Sequence, residues 1–251
     1  MTRGVSDKDS GGGTTIQTKP LADIEAVVFD LDGTLCYYPL SVEEVFLEAF
    51  RRAGITPEIL GDLAELAARY AELWSEVRAT VQSTAQIRLK IIERLFHERG
   101  AEGLEYAARL SDAYGAVRDE SGVRPFDDVG ALLSDLRERY KLGLLTNGPS
   151  DIQWEKIRSL GFGDVFDAIV VAGDVGIYKP DVRVFEALLH RLQVHAATAL
   201  FVGDAYEMDI IGAHRAGMRT AWIRNGEAAS GGNAVPNLEV NNATALRGLL
   251  L

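Results

Sequence analysis

Asp30 and Asp32 stand two positions apart, where the apolar run 26–29 ends and Gly33 follows. Two carboxylates that close repel unless a cation, a shared proton or a solvated turn offsets their charge. Binding a divalent cation, or pairing a nucleophile with an acid/base, is the chemistry such a pair supports. Thr146 and Asn147 follow a second apolar run, Lys179 lies in the loop after a third, and Asp204 closes a fourth. Asp-x-Asp-Gly also opens EF-hand loops, but Leu35 occupies the position where that loop needs glycine. His97, His190, His195 and His214 lie in or just after helical patterns, without the spacing of metal ligands.

The elements that must position these residues can be read from hydrophobic patterning. The runs at 25–30, 141–148, 167–174, 199–204 and 220–226 are continuous, not alternating, as in parallel strands covered on both faces. Helical patterns separate the later ones. Ser150 and Gln153 have capping-box spacing, Asp181 is a good N-cap, and Gly161 and Gly217 close their helices. This alternation predicts a doubly wound α/β domain with a parallel sheet. Residues 41–120 break it. There Ser41 and Glu44 open a run of helical patterns that no strand interrupts, which predicts an all-helical insertion. The expected division is a flexible tail at 1–21, a core from 22–38 and 122–251, and a helical cap at 39–121, hinged near 36–39 and 122–125. In an open parallel sheet ligands bind at the carboxyl ends of the strands, where the polar residues gather here.

The chain has 251 residues and a net charge of −11. That balance argues against nucleic-acid or anionic-membrane partners, which select basic surfaces. An anionic substrate would therefore need a local positive site. No apolar run approaches the ~20 residues that span a bilayer. Cys36 is the only cysteine, so no internal disulfide forms, and a cytoplasmic protein is expected.

Four motifs together, 30–34 (DLDGT), 145–148 (LTNG), Lys179-Pro180 and 203–209 (GDAYEMD), resemble the haloacid dehalogenase-like (HAD) superfamily, in the phosphatase branch with a helical cap after the first motif. The resemblance covers residue 24 to the end. It implies a Mg²⁺-dependent phosphohydrolase that cleaves small phosphorylated metabolites through an aspartyl-phosphate. Asp30 would be the nucleophile and Asp32 the general acid/base. Mg²⁺ would be held by Asp30, the Asp32 main-chain carbonyl and Asp204. Thr146, Asn147 and Lys179 would bind the phosphoryl group, Lys179 also neutralising the nucleophile, with Asp209 ordering Lys179 or water. Dehalogenases of the family lack an acid/base aspartate at the second position, so Asp32 argues against that chemistry. Lys90, the cap's lysine, has no placement that favours a Schiff base for a phosphonate hydrolase. A phosphomutase and a catalytically idle binding module are the remaining alternatives. Specificity is expected from the cap side, with Tyr37 and Tyr38 near the hinge and Arg78 and Gln82 on one helix face.

Overall fold

A computed structural model describes residues 21, 23–78, 81, 83–100, 104–224 and 235–251. The expected tail lies almost wholly outside these residues, and so does Gln82.

The first strand, β1 (Ala26–Phe29), is buried along its whole length. Its side chains alternate between two layers. Val27 and Phe29 pack with Leu132, Leu136 and Ile157 on one face, whereas Ala26 and Val28 pack with Phe185 and Leu188 on the other. Burying each such side chain stabilises the fold by about 1.5–3 kcal/mol, so a run apolar at every position is what a two-faced sheet demands.

The chain then forms β2 (Cys36–Tyr37), α1 (Val42–Ala53), α2 (Leu63–Val77), α3 (Thr84–Glu98), α4 (Leu104–Ser121) and β3 (Arg124–Pro125). The core resumes with α5 (Val129–Arg137), β4 (Lys141–Thr146), α6 (Ser150–Ser159), β5 (Ala168–Val171), α7 (Ala172–Val175) and α8 (Val182–Leu192). It ends with β6 (Ala199–Gly203), a π-helical turn at Tyr206–Ile211, α9 (Gly212–Arg215), β7 (Arg219–Ile223), β8 (Leu238–Val240) and α10 (Arg247–Leu250). The main sheet runs β5-β4-β1-β6-β7-β8, and every pairing in it is parallel. The connection leaves β1 toward β4 on one side and later returns to β6 on the other. The loops after β1 and β6 therefore diverge and open a crevice at that switch point.

Between β2 and β3 the described chain is helical, as expected. Ser41 caps α1, its hydroxyl accepting from Glu44 N–H while the Glu44 carboxylate accepts from Ser41 N–H at 2.8 Å. Such a cap is worth about 1 kcal/mol. The four helices enclose an apolar core of their own around Phe46, whose ring meets Tyr70 at 5.2 Å and Tyr114 at 4.8 Å. The two passages between this unit and the sheet are tied together, because β2 pairs antiparallel with β3. No helix among the described residues is long and apolar enough to cross a membrane.

Candidate active site

Asp30 follows β1 directly, and its N–H donates to Val202 O of β6 at 2.9 Å. The chain then turns tightly, with Leu35 and Cys36 N–H both donating to Leu31 O. Gly33 has φ +82°, and a Cβ there would collide with the Asp204 carboxylate. Glycine is thus required at this position for its conformation and for the close approach of Asp204 from β6.

Lys179 lies at the centre. Its Nζ donates to Asp30 Oδ1 and to Asp209 Oδ1, each at 2.6 Å, and all three residues are buried. Asp209 reaches inward from the π-helical turn and also accepts from Ala205 N–H at 3.1 Å. Such turns are rare and recur at functional sites. Asn147 fixes the main chain of Lys179 from the other side. Its Oδ1 accepts from Lys179 N–H at 2.8 Å, and its Nδ2 donates to Lys179 O at 2.9 Å. The Asn147 side chain is therefore taken up by this clamp.

One carboxylate oxygen each from Asp30, Asp204 and Asp209 lies within 4.8 Å of the others. Burial holds Asp30 well above the ordinary carboxylate range, against the pull of Lys179. Burial and then the Asp209 charge push Asp204 up to about 6. Burial opposes the ammonium of Lys179, but Asp209 and Asp30 outweigh it and raise its pKa. Asp30 and Asp204 offer hard oxygen donors. Asp209, whose oxygens accept from Lys179 and Ala205, adds negative charge that one ammonium does not offset, so the cluster fits a small divalent cation.

Asp32 sits apart from this cluster and has a lysine of its own. Lys156 Nζ donates to both of its oxygens, at 2.7 and 2.9 Å, and Gln153 Nε2 donates to Oδ2 at 2.9 Å. Burial works against the Lys156 ammonium, but the Asp32 charge and hydrogen bonds together with Tyr38 outweigh it and raise its pKa. Gln153 Nε2 also donates to Thr146 Oγ1 at the end of β4. These contacts correct the capping box expected at Ser150 and Gln153. The residue that caps α6 is Pro149, without a side-chain bond, and Ser150 donates instead to Asp174. Gln153 is committed to the site because α6 turns its 153/156/157 face inward. Each aspartate of the opening pair thus meets its own ammonium. Lys156 and Gln153 are the residues that sequence reasoning missed, and their i, i+3 spacing on one helix was the available signal.

Asp32 and Lys156 also line a cavity of about 500 Å³ between the sheet domain and the helical unit. Tyr38 lies in its wall, with Arg118 4.5 Å and Lys156 4.9 Å from the ring centre. Tyr37 packs against Phe126 at 4.9 Å. Arg78 does not line the cavity but faces the Tyr178 ring at 5.6 Å. At the rim, the Asp151 carboxylate accepts from Thr84 N–H at 2.8 Å and from Thr84 Oγ at 2.6 Å. It joins the first turns of α3 and α6, where helix dipoles favour a negative charge.

A sequence model of the haloacid dehalogenase-like hydrolases matches residues 24–217. Among curated proteins, the glyceraldehyde 3-phosphate phosphatase of Methanopyrus kandleri is 35% identical over 209 residues, covering 81% of this chain and 85% of its own. The phosphoserine phosphatase of Thermus thermophilus is 33% identical over 198 residues, covering 77% and 78%. Among solved structures, a 2-haloacid dehalogenase from Pseudomonas syringae superposes with a TM-score of 0.65 at 28% identity, covering 90% of this chain and 98% of that one.

Proposed function

The chain belongs to the haloacid dehalogenase-like hydrolases, and we propose that it is a cytoplasmic phosphatase that transfers the phosphoryl group of a small phosphomonoester to Asp30 and then to water. The observation that carries this reading is a second aspartate, Asp32, held at the mouth of the crevice beside the buried Asp30–Lys179 pair. A displacement at carbon with a halide leaving group needs no proton donor there, whereas an alkoxide leaving phosphorus does. Similarity to two phosphatases supports the same choice.

Lys179 engages Asp30 Oδ1, so Oδ2 is the oxygen that would attack phosphorus. The phosphorus–ester oxygen bond breaks as the new bond forms, and the leaving oxygen takes its proton from Asp32. A water molecule then loses a proton to Asp32, attacks phosphorus and releases phosphate, which regenerates Asp30. Thr146 accepts from Gln153 through its oxygen, so its hydroxyl proton remains for a phosphoryl oxygen. The main-chain N–H of Asn147 would do the same near the start of α6. Lys179 neutralises charge shared by nucleophile and phosphoryl group, while Asp209 and Asn147 hold it in place. Lys156 and Gln153 position Asp32.

Mg²⁺ is the ion proposed for Asp30, Asp204 and the Asp32 carbonyl, where it would supply positive charge to the phosphoryl oxygens. Phosphate release from p-nitrophenyl phosphate should require Mg²⁺ and stop in chelator. Full turnover in chelator would remove the metal from this reading.

Binding should also appear without turnover. Asp204 titrates above its ordinary value, so folding favours its protonated form. In the metal-free protein this group's contribution to stability is lost as pH rises from about 4 to about 6. A cation reverses that penalty only where the carboxylates are ionised. The rise in melting temperature caused by Mg²⁺ should therefore be larger at about pH 7.5 than at about pH 5. An equal rise at both would contradict carboxylate ligation.

Replacing Lys156 with methionine should impair esters of aliphatic alcohols more than p-nitrophenyl phosphate. An alkoxide needs the proton from Asp32, and a nitrophenolate leaves without one. The expected ratio of the two losses is about 10 or more. Equal losses would make Lys156 merely structural.

A further inference from the structure

Among the described residues, most arginines of the helical unit face carboxylates, whereas Arg78 (over the Tyr178 ring), Arg109 (donating to Ala53 O), Arg88 and Arg118 do not. On its outer surface Arg51 and Arg52 meet Glu48, Arg69 and Arg94 meet Glu98, and Arg99 meets Glu65. Arg88 of α3 and Arg118 of α4 differ. Both line the cavity, both are half-buried, and neither forms an ion pair with a carboxylate among the described residues. Arg88 donates through Nε to Ser111 Oγ at a long 3.4 Å, and Arg118 donates through Nη1 to Leu40 O at 2.9 Å.

Their placement is built. Gly115 lies inside α4, where glycine costs about 0.5–1 kcal/mol relative to alanine. A Cβ there would collide with the Arg88 guanidinium. Both positive charges also act on the phenols of Tyr70 and Tyr114, whose rings lie 5.1 Å apart. They converge on one part of the wall. The carboxylates that line the cavity do not answer them. Asp32 is held by Lys156 and Asp151 by Thr84, while Asp119 and Glu155 are exposed. A half-buried guanidinium without a counter-ion has given up hydration that a bidentate carboxylate would replace.

We propose that the cavity takes the leaving alcohol of the substrate, and that this alcohol carries a carboxylate bound by Arg88 and Arg118. The proposal rests on the phosphatase reading above. With phosphorus at Asp30 and the ester oxygen at Asp32, the rest of the substrate extends past Tyr38 toward α3 and α4. Arg88 and Arg118 then supply the local positive charge that the net charge of −11 withholds from an anionic substrate.

Two matched pairs of esters test it. 3-Phosphoglycerate and glycerol 3-phosphate differ at one end by a carboxylate in place of a hydroxymethyl group, and 6-phosphogluconate and glucitol 6-phosphate differ likewise at greater length. In at least one pair kcat/KM should favour the acid by about 10- to 100-fold, the worth of a charge-assisted hydrogen bond. Arg88→Met and Arg118→Met should each bring that ratio toward unity, Arg88→Lys should keep part of it, and Arg94→Met on the outer surface should keep it whole. Thermal shifts with glycerate and gluconate, against glycerol and glucitol, read the same preference without turnover. No preference in either pair, or a preference that survives both methionine variants, overturns the inference even if p-nitrophenyl phosphate is hydrolysed normally. If no ester is hydrolysed the phosphatase reading fails, and the thermal shifts still decide whether the cavity selects carboxylates.

Discussion

Asp30→Asn should lower turnover of every phosphomonoester by about 10⁴-fold or more, since an amide cannot attack phosphorus and the residues that remain act as a unit with the lost one. The fold should not suffer. Burial already disfavours the ionised form of Asp30, and an amide oxygen can still accept from Lys179. Replacing the carboxylate with a neutral group of the same shape removes one charge from a crowded cluster. The metal-free variant should therefore melt at the same temperature as the parent or higher, while its gain on adding Mg²⁺ shrinks. These readouts move in opposite directions, which separates loss of a nucleophile from loss of structure. Activity within tenfold of the parent would overturn the assignment of Asp30.

The contrast between Asp30 and Lys156 shows what the sequence could and could not reveal. The strands were legible because layers on both faces force apolar residues along the whole of β1 and β6 and through 142–145 of β4. Once those strands are recognised, Asp30, Thr146 and Asp204 fall at their carboxyl ends without further information. Lys179 lies in a loop, and its place beside Asp30 followed only from family resemblance. Lys156 and Gln153 were hidden for another reason. A polar residue on a helix is ordinarily solvated, and Ser150 with Gln153 has the spacing of a cap. Only the packing of α6 against the sheet turns that face inward. β2 and β3 are two residues each, too short for any periodicity to show. The cap wall was hidden on similar grounds. Of the residues expected there Tyr38 lines the cavity and Arg78 does not, whereas Arg88 and Arg118 reach it from two helices meeting at the Tyr70–Tyr114 pair. Spacing within a single helix cannot report a convergence between helices.

Lys179→Met should be costly in both stability and activity, and the two losses can be separated. Methionine has nearly the length of lysine but no charge, so Asp30 and Asp209 would be left buried without their shared ammonium. Removing one partner from a buried ion pair costs roughly 3–5 kcal/mol. The loss should be smaller at low pH, where carboxylates of raised pKa take up protons, and larger above about pH 6, where Asp204 is ionised too. Adding Asp209→Asn removes one of the stranded charges and should recover part of the stability, measured by denaturant unfolding. It should not recover turnover. The amide at position 209 leaves the phosphoryl group without the positive charge that Lys179 carries to Asp30, a loss of about 10³-fold for alkyl and aryl esters alike. If the double variant regained activity along with stability, Lys179 would be a structural counter-ion. If stability returned while every ester stayed impaired, its charge would be needed by the reaction itself.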